Sequence, residues 1–225
     1  MMATTLKRKK KHKSAVHWPT PAQMKKLMTY LRTQYAENPT LRNHSNLVML
    51  SLLYYGALRI QEMCSLDFED TCMFHNESKL HIRHGKGDKA RWVILPVEIN
   101  NLLMQYMATE RGATKDSDPH TSLFIGRPYQ LSKGDVATRK RPKVMWETIR
   151  LIGEKCGFAG ANHLHPHSLR HAGASLHYAQ GQNLKATQEM LGHTNLGTTA
   201  RYLHVTADQF AAIAEKMAAA TQEDD

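Results

Sequence analysis

Cysteine is scarce in this chain: 225 residues contain only Cys64, Cys72 and Cys156. They form no CxxC pair and their number is odd, which excludes a disulfide framework and fits reduced thiols buried in or near a core, in a cytosolic compartment. Long apolar runs are also missing. None approaches the roughly 18 residues that span a bilayer, and the chain opens on a basic tract where a signal peptide would carry its apolar segment. The expectation is a soluble cytoplasmic protein with no membrane partner. There is no internal repeat and no nucleotide-binding glycine loop, so repeat scaffolds and phosphate-loop chemistry drop out.

Acidic residues are absent from the first 36 positions, and what fills the space is informative. Lys7, Arg8, Lys9, Lys10, Lys11 and Lys13 supply six positive charges, and Glu223, Asp224 and Asp225 supply three negative ones at the other end. With a net charge of +10, the body between carries +7. Such a body attracts a polyanion, and binding by phosphate neutralisation is strongly salt-dependent. Apolar residues make up 41% of the chain, enough for one large domain or two small ones around a buried core.

Residues 1–17 are polar, basic and without periodicity, which predicts a flexible arm. Thr20, Pro21 and Gln23 then spell a helix start, with a capping threonine, proline in the first turn and glutamine three residues on. Residues 43–56 are almost wholly apolar and predict a central core helix ended by Gly56. After the short amphipathic ALRIQEMCSLDFED the period changes. Segments near 71–75, 79–84 and 90–95 read as three short antiparallel strands, the last two joined by GKGDK. Helical signal returns in PVEINNLLMQYMATER, after Pro142 as far as Gly157, and from Pro166 through HSLRHAGASLHYAQ. Further starts are marked by Asn183, by Thr198 or Thr199, and by Thr206 ahead of an alanine-rich helix. The fold class expected is α+β, mostly α-helical, with a small three-stranded antiparallel sheet.

The chemistry concentrates near the C-terminus. His167 and Arg170 stand in HPHSLRHAGAS, His193 follows Arg170 by 23 residues, and Tyr202 follows His193 by nine. An arginine with two imidazoles can hold a phosphate oxyanion, and a tyrosine one short helix away can attack the phosphorus. A tyrosine hydroxyl with a pKa near 10 is only about 0.1% ionised at neutral pH, so it needs a base and cationic surroundings. The pentavalent transition state needs charge neutralised on two non-bridging oxygens, and a guanidinium offers two parallel donors for that. The leaving 5′ oxygen needs a proton, which a nearby lysine can supply.

Three separate blocks meet these demands, and together they resemble the tyrosine recombinase (phage integrase) family. GALRIQEMCSLDFED resembles the family's first arginine block, with Arg59 as the arginine and Glu62 as its structural partner. HIRHGKGDKARWVILP resembles the hairpin that carries the catalytic lysine, here Lys86. HPHSLRHAGASLHYAQGQNLKATQEMLGHTNLGTTARYLHV resembles the C-terminal block, with His167, Arg170, His193 and Tyr202. The resemblance runs from about Pro19 to the last helix and implies the fold of that family's catalytic domain over residues 18–220, with a C-terminal helix over about 206–220 and an acidic tail at 221–225.

It also implies roles. Tyr202 attacks the scissile phosphate to give a 3′-phosphotyrosyl enzyme and a free 5′ hydroxyl, and a 5′ hydroxyl from a second strand reverses the step. Arg59 and Arg170 clamp the phosphate, Lys86 protonates the leaving oxygen, His167 assists proton transfer from Tyr202, and His193 bonds a phosphate oxygen. The covalent ester conserves the bond energy, so neither a metal nor another cofactor is implied. The partners implied are double-stranded DNA, further copies of the chain in a tetramer, and an accessory DNA-binding protein. Integration, excision and inversion are all compatible outcomes. Lys89, Arg91, Arg139, Lys140 and Arg141 are expected at the DNA.

Blander readings stand beside each residue. Arg59 and Glu62 alone read as a surface pair, Lys86 as a solvated turn lysine and Tyr202 as a core aromatic. His163, His165, His167 and His171 hint at zinc, but their spacing is not that of a helical ligand pair and no cysteine or acid adjoins them. Two rival functions keep the same residues or fold: a relaxing type IB topoisomerase and a non-catalytic DNA-binding regulator. Relatives of this type commonly carry a further helical DNA-binding domain ahead of the catalytic one, where this sequence has about 17 residues, so the resemblance is either to a catalytic fragment or to a small single-domain member of the family.

Overall fold

The computed structural model describes residues 18–71, 78–85, 89–111, 122–126, 138–160, 163–179 and 191. The basic arm, Lys86, and everything expected beyond Ala179 except Leu191 lie outside the described residues.

Helix α1 (Pro21–Glu37) starts as its sequence requires. Thr20 Oγ1 accepts from the Gln23 amide at 3.3 Å, and the Gln23 side chain accepts from the Thr20 amide at 2.8 Å. Helix α2 (Leu41–Tyr55) begins two residues ahead of expectation because Thr40 caps it, accepting from the Asn43 amide at 3.3 Å. Its residues are buried on every face from His44 to Tyr54, and it packs against α1, α4 (Val97–Tyr106) and α6 (Pro166–Ala179). Leu50, Leu52 and Leu53 are fully buried there, so truncating any of them to alanine removes about 2–5 kcal/mol.

Gly56 ends α2, and Ala57 follows with φ 46°, the left-handed region that costs a side-chain-bearing residue about 1 kcal/mol or more. Helix α3 (Ile60–Ser65) and a 3-10 turn (Phe68–Thr71) come next. Strands β1 (Lys79–Ile82) and β2 (Arg91–Ile94) pair antiparallel, Leu80 opposite Val93 and His81 opposite Trp92. On either side of residues 86–88 the strands stay close: the Gly85 amide donates to the Lys89 carbonyl, and a Cβ on Gly85 would lie 2.4 Å from that oxygen.

Among the described residues this sheet has two strands where three were expected. The first expected strand, near 71–75, begins on Thr71, whose hydroxyl donates to the Phe68 carbonyl at 2.7 Å and closes the 3-10 turn; residues 72–77 lie outside the described set. A second pair, β3 (Ile125–Gly126) with β4 (Thr138–Arg139), was not anticipated. Two-residue strands are too short to show a period of two. Helix α4 continues into a π-turn at Met107–Arg111, and α5 (Pro142–Lys155) packs on α3. Gly157 at φ 90° supplies the left-handed residue after α5.

Cys64 and Cys156 are buried, as expected, while Cys72 lies outside the described residues; burial pushes both buried thiols upward in pKa, Cys64 to about 11. None of the described helices is long and apolar enough to cross a membrane.

Candidate active site

Arg59 is the residue before α3, and Glu62 is the third residue of that helix. The Glu62 carboxylate accepts from the Arg59 amide at 2.8 Å and from the Arg59 guanidinium at 2.7 Å. It is 2% exposed, yet it serves further arginines: Arg91 from β2 forks onto both oxygens at 2.8 and 2.9 Å, and Arg170 from α6 lies 3.7 Å away. Burial alone would raise this carboxyl. The hydrogen bonds from Arg91 and from the Arg59 amide outweigh that and bring it down to about 2, so Glu62 is an anion at any ordinary pH.

Arg170 is 3% exposed and held by the chain itself. One guanidinium nitrogen donates to the carbonyl of Ala57, the residue in the left-handed conformation, and the other donates to the Leu191 carbonyl at 2.6 Å. Ala57, Ala174 and Leu191 form a small apolar cluster around this anchor. The helix carrying Arg170 approaches α2 closely because residue 173 is glycine: a Cβ there would sit 1.9 Å from the Tyr54 carbonyl oxygen. His177, one turn on, meets the Tyr55 carbonyl at 2.6 Å.

His167, in the first turn of α6, is exposed. Its pKa is depressed by burial of part of its ring and then by the guanidiniums of Arg170 and Arg59, which favours the neutral form that can accept a proton. Trp18 stacks on His171 with ring centroids 3.8 Å apart and meets His167 edge-on at 5.9 Å. This chain-entry tryptophan had no signal in the sequence beyond its own ring.

The structure thus brings together Arg59, His167 and Arg170 from segments more than a hundred residues apart, with Glu62 as the shared counter-ion. Lys86, His193 and Tyr202 lie outside the described residues. The residues expected at DNA divide into two kinds. Arg91 bonds Glu62 through both terminal guanidinium nitrogens. Arg139 donates to the carbonyls of Cys64 at 2.9 Å and Leu66 at 3.2 Å and pairs with Asp67. Lys89 and Arg141 are exposed, and Lys140 is half-buried with its pKa lowered by burial and then by Arg42.

Sequence reasoning missed a second ion network. Arg83, beyond β1, reaches Asp67 at 2.5 Å, Glu69 at 2.5 Å and Asp70 at 2.8 Å, and Asp67 also takes Arg139. This network ties the hairpin to the turn after α3, as Arg91 ties it to Glu62. The acids in SLDFED were the available signal.

A guanidinium pair fixed by a buried carboxylate, with an imidazole exposed beside it, can bind an oxyanion and manage a proton next to it.

Comparison with known proteins places the arrangement. A protein named tyrosine recombinase from Pseudothermotoga lettingae is 31% identical over 185 residues, 82% of this chain and 55% of that protein. The crystal structure of XerA recombinase superposes with a TM-score of 0.68 at 25% identity, covering 89% of this chain and 65% of that one. The XerH site-specific recombinase, solved with its difH DNA after cleavage, shares the fold with a TM-score of 0.68 at 23% identity, covering 88% and 53%. The chain spans about half the length of the curated relatives it matches. With the phage integrase family model matching residues 17–209, all three of the motif blocks included, this chain belongs to the phage integrase family.

Proposed function

We propose that this chain is the catalytic part of a site-specific DNA recombinase that cuts and rejoins strands through a 3′-phosphotyrosyl intermediate. The observation that carries the reading is the meeting of Arg59 and Arg170 on the buried Glu62, with His167 close enough to feel both guanidiniums, in the order of the family's motif. The Arg170 bond to Leu191 supports it, because Leu191 opens the short stretch that leads to His193.

In this mechanism Tyr202 Oη bonds to the scissile phosphorus as the bond from phosphorus to the 5′ oxygen breaks. His167 receives the phenolic proton, Lys86 gives one to the leaving 5′ oxygen, and the net proton count is unchanged. Arg59, Arg170 and His193 stabilise the oxyanion; loss of one such donor costs on the order of 10²–10³ in rate. A 5′ hydroxyl of another strand then attacks the phosphotyrosine and releases Tyr202. Integration, excision or inversion follows from how the two sites lie. Lys89, Lys140 and Arg141 hold the DNA backbone, and four copies on paired sites, aided by an accessory protein, form the working assembly at the nucleoid.

The test is a library of duplexes nicked so that the cut strand diffuses away. The wild-type chain is expected to form detergent-resistant protein–DNA adducts and Tyr202→Phe none; no adduct from either favours a non-catalytic DNA-binding role. Exchange between two recovered sites on one plasmid, rather than relaxation of a plasmid with none, separates recombinase from topoisomerase.

A further inference from the structure

His163, His165 and His167 alternate along the chain and only the last belongs to the motif, yet the fold gives the middle one a use of its own. His165 is the residue before α6, and Pro166 occupies the first helical position. The Ser168 amide donates to Nδ1 of His165 at 3.1 Å, the His165 amide donates to the Ser168 hydroxyl at 3.0 Å, and that hydroxyl donates to the His165 carbonyl at 2.7 Å. The Leu169 amide closes the first helical bond to the same carbonyl at 3.1 Å. This is a reciprocal cap of the kind serine, threonine or aspartate usually provides, with an imidazole as the acceptor.

An imidazole accepts at Nδ1 only while that nitrogen carries a lone pair, so the bond fixes His165 as the neutral form protonated on Nε2. His163 is held in the opposite sense: its Nδ1–H donates to the Gly160 carbonyl at 3.1 Å. We propose that His165 is a positioning residue whose uncharged imidazole caps α6 and thereby sets His167, two residues on, beside the arginine pair. The inference rests on the recombinase reading for its enzymatic consequence, but not for the cap.

A proton on Nδ1 turns the cap bond into a contact between two N–H groups and places a cation at the positive end of a 14-residue helix. Two neighbouring rings resist that charge, His163 at 5.4 Å and His167 at 6.4 Å between centroids, and Arg170 and Arg59 act in the same sense on His167. Burial, then His163 and His167, lower its pKa. A depressed histidine contributes stability that is complete above its unfolded value and lost as pH falls through the folded one. Loss of the cap frees the first turn and His167, while Arg170 stays on its Ala57 and Leu191 carbonyls.

Two measurements test this on the full chain. Ring nitrogen NMR without DNA is expected to show His165 as the Nε2-protonated tautomer above about pH 7.5, its Nδ1 signal moving as the pH falls below about 6.5; an Nδ1-protonated tautomer overturns the cap. Cleavage of a nicked substrate by His165→Ala is expected to be about five- to tenfold slower near pH 8, with affinity for uncut duplex unchanged. His165→Asn, which caps without titrating, is expected within about twofold of wild type at that pH, with a shallower acid limb because one titrating imidazole has been removed from the set. An asparagine variant as slow as the alanine one, or with the wild-type acid limb, overturns the proposal. Because the ring measurement needs no DNA, absence of cleavage by the wild-type chain would instead overturn the enzymatic reading.

Discussion

Glu62 shows how one side chain can organise a site it does not act in. Three arginines from three elements converge on its buried carboxylate, so neutralising it leaves guanidiniums crowded without their counter-ion. Glu62→Gln is expected to cost about 3 kcal/mol in chemical denaturation, the usual range for breaking a buried pair. The pH dependence has a definite sign. Its folded pKa of about 2 lies below the ordinary carboxyl value, so its contribution is complete above about pH 4.5 and lost as pH falls toward 2. The wild-type chain therefore loses more stability than Glu62→Gln between those limits, as paired denaturation curves will show. Of these contacts only Arg59 to Glu62, three residues apart, was legible in the sequence. The bond from Arg91, 29 residues away, was not legible, because a hairpin arginine carries no local mark of the carboxylate it will meet.

Elements were read best where their ends carry capping chemistry. Thr20 with Gln23, Pro142 with Gly157, and Pro166 each marked a helix that the structure contains. The short β3 and β4 pair escaped because tertiary contacts, including the Leu123 amide on the Leu66 carbonyl, hold it in place of a sequence period. The His165 cap escaped because imidazole is not an expected cap. The contact of α2 with α6 makes a prediction at this scale. Alanine ordinarily favours a helix over glycine by about 1 kcal/mol, but at position 173 its methyl would strike the Tyr54 carbonyl. Gly173→Ala is expected to destabilise by about 1–3 kcal/mol, read from the denaturation midpoint, and to lower cleavage by displacing Arg170. A stabilised variant would show that the two helices separate easily.

At the scale of the molecule, the fold's task is to hold one guanidinium from the loop after α2, another from α6 and a hairpin between them in a single rigid cluster. Apolar packing around α2 does this, and two ion networks, on Glu62 and on Asp67, fasten the hairpin to it. Net charge belongs to the same scale. Removing residues 1–13 withdraws six positive charges, which is expected to weaken DNA binding and flatten the slope of log K against log salt by up to about 5. A salt titration with an unchanged slope would take the arm out of the interface. The central claim, that a phenol oxygen of this chain bonds to a DNA phosphorus, is tested most directly by mass spectrometry of a trapped adduct after proteolysis. The expected result is a peptide carrying a 3′-linked nucleotide on Tyr202 with a free 5′ hydroxyl on the departed strand. Attachment at another residue, or a 5′-linked nucleotide, would contradict it.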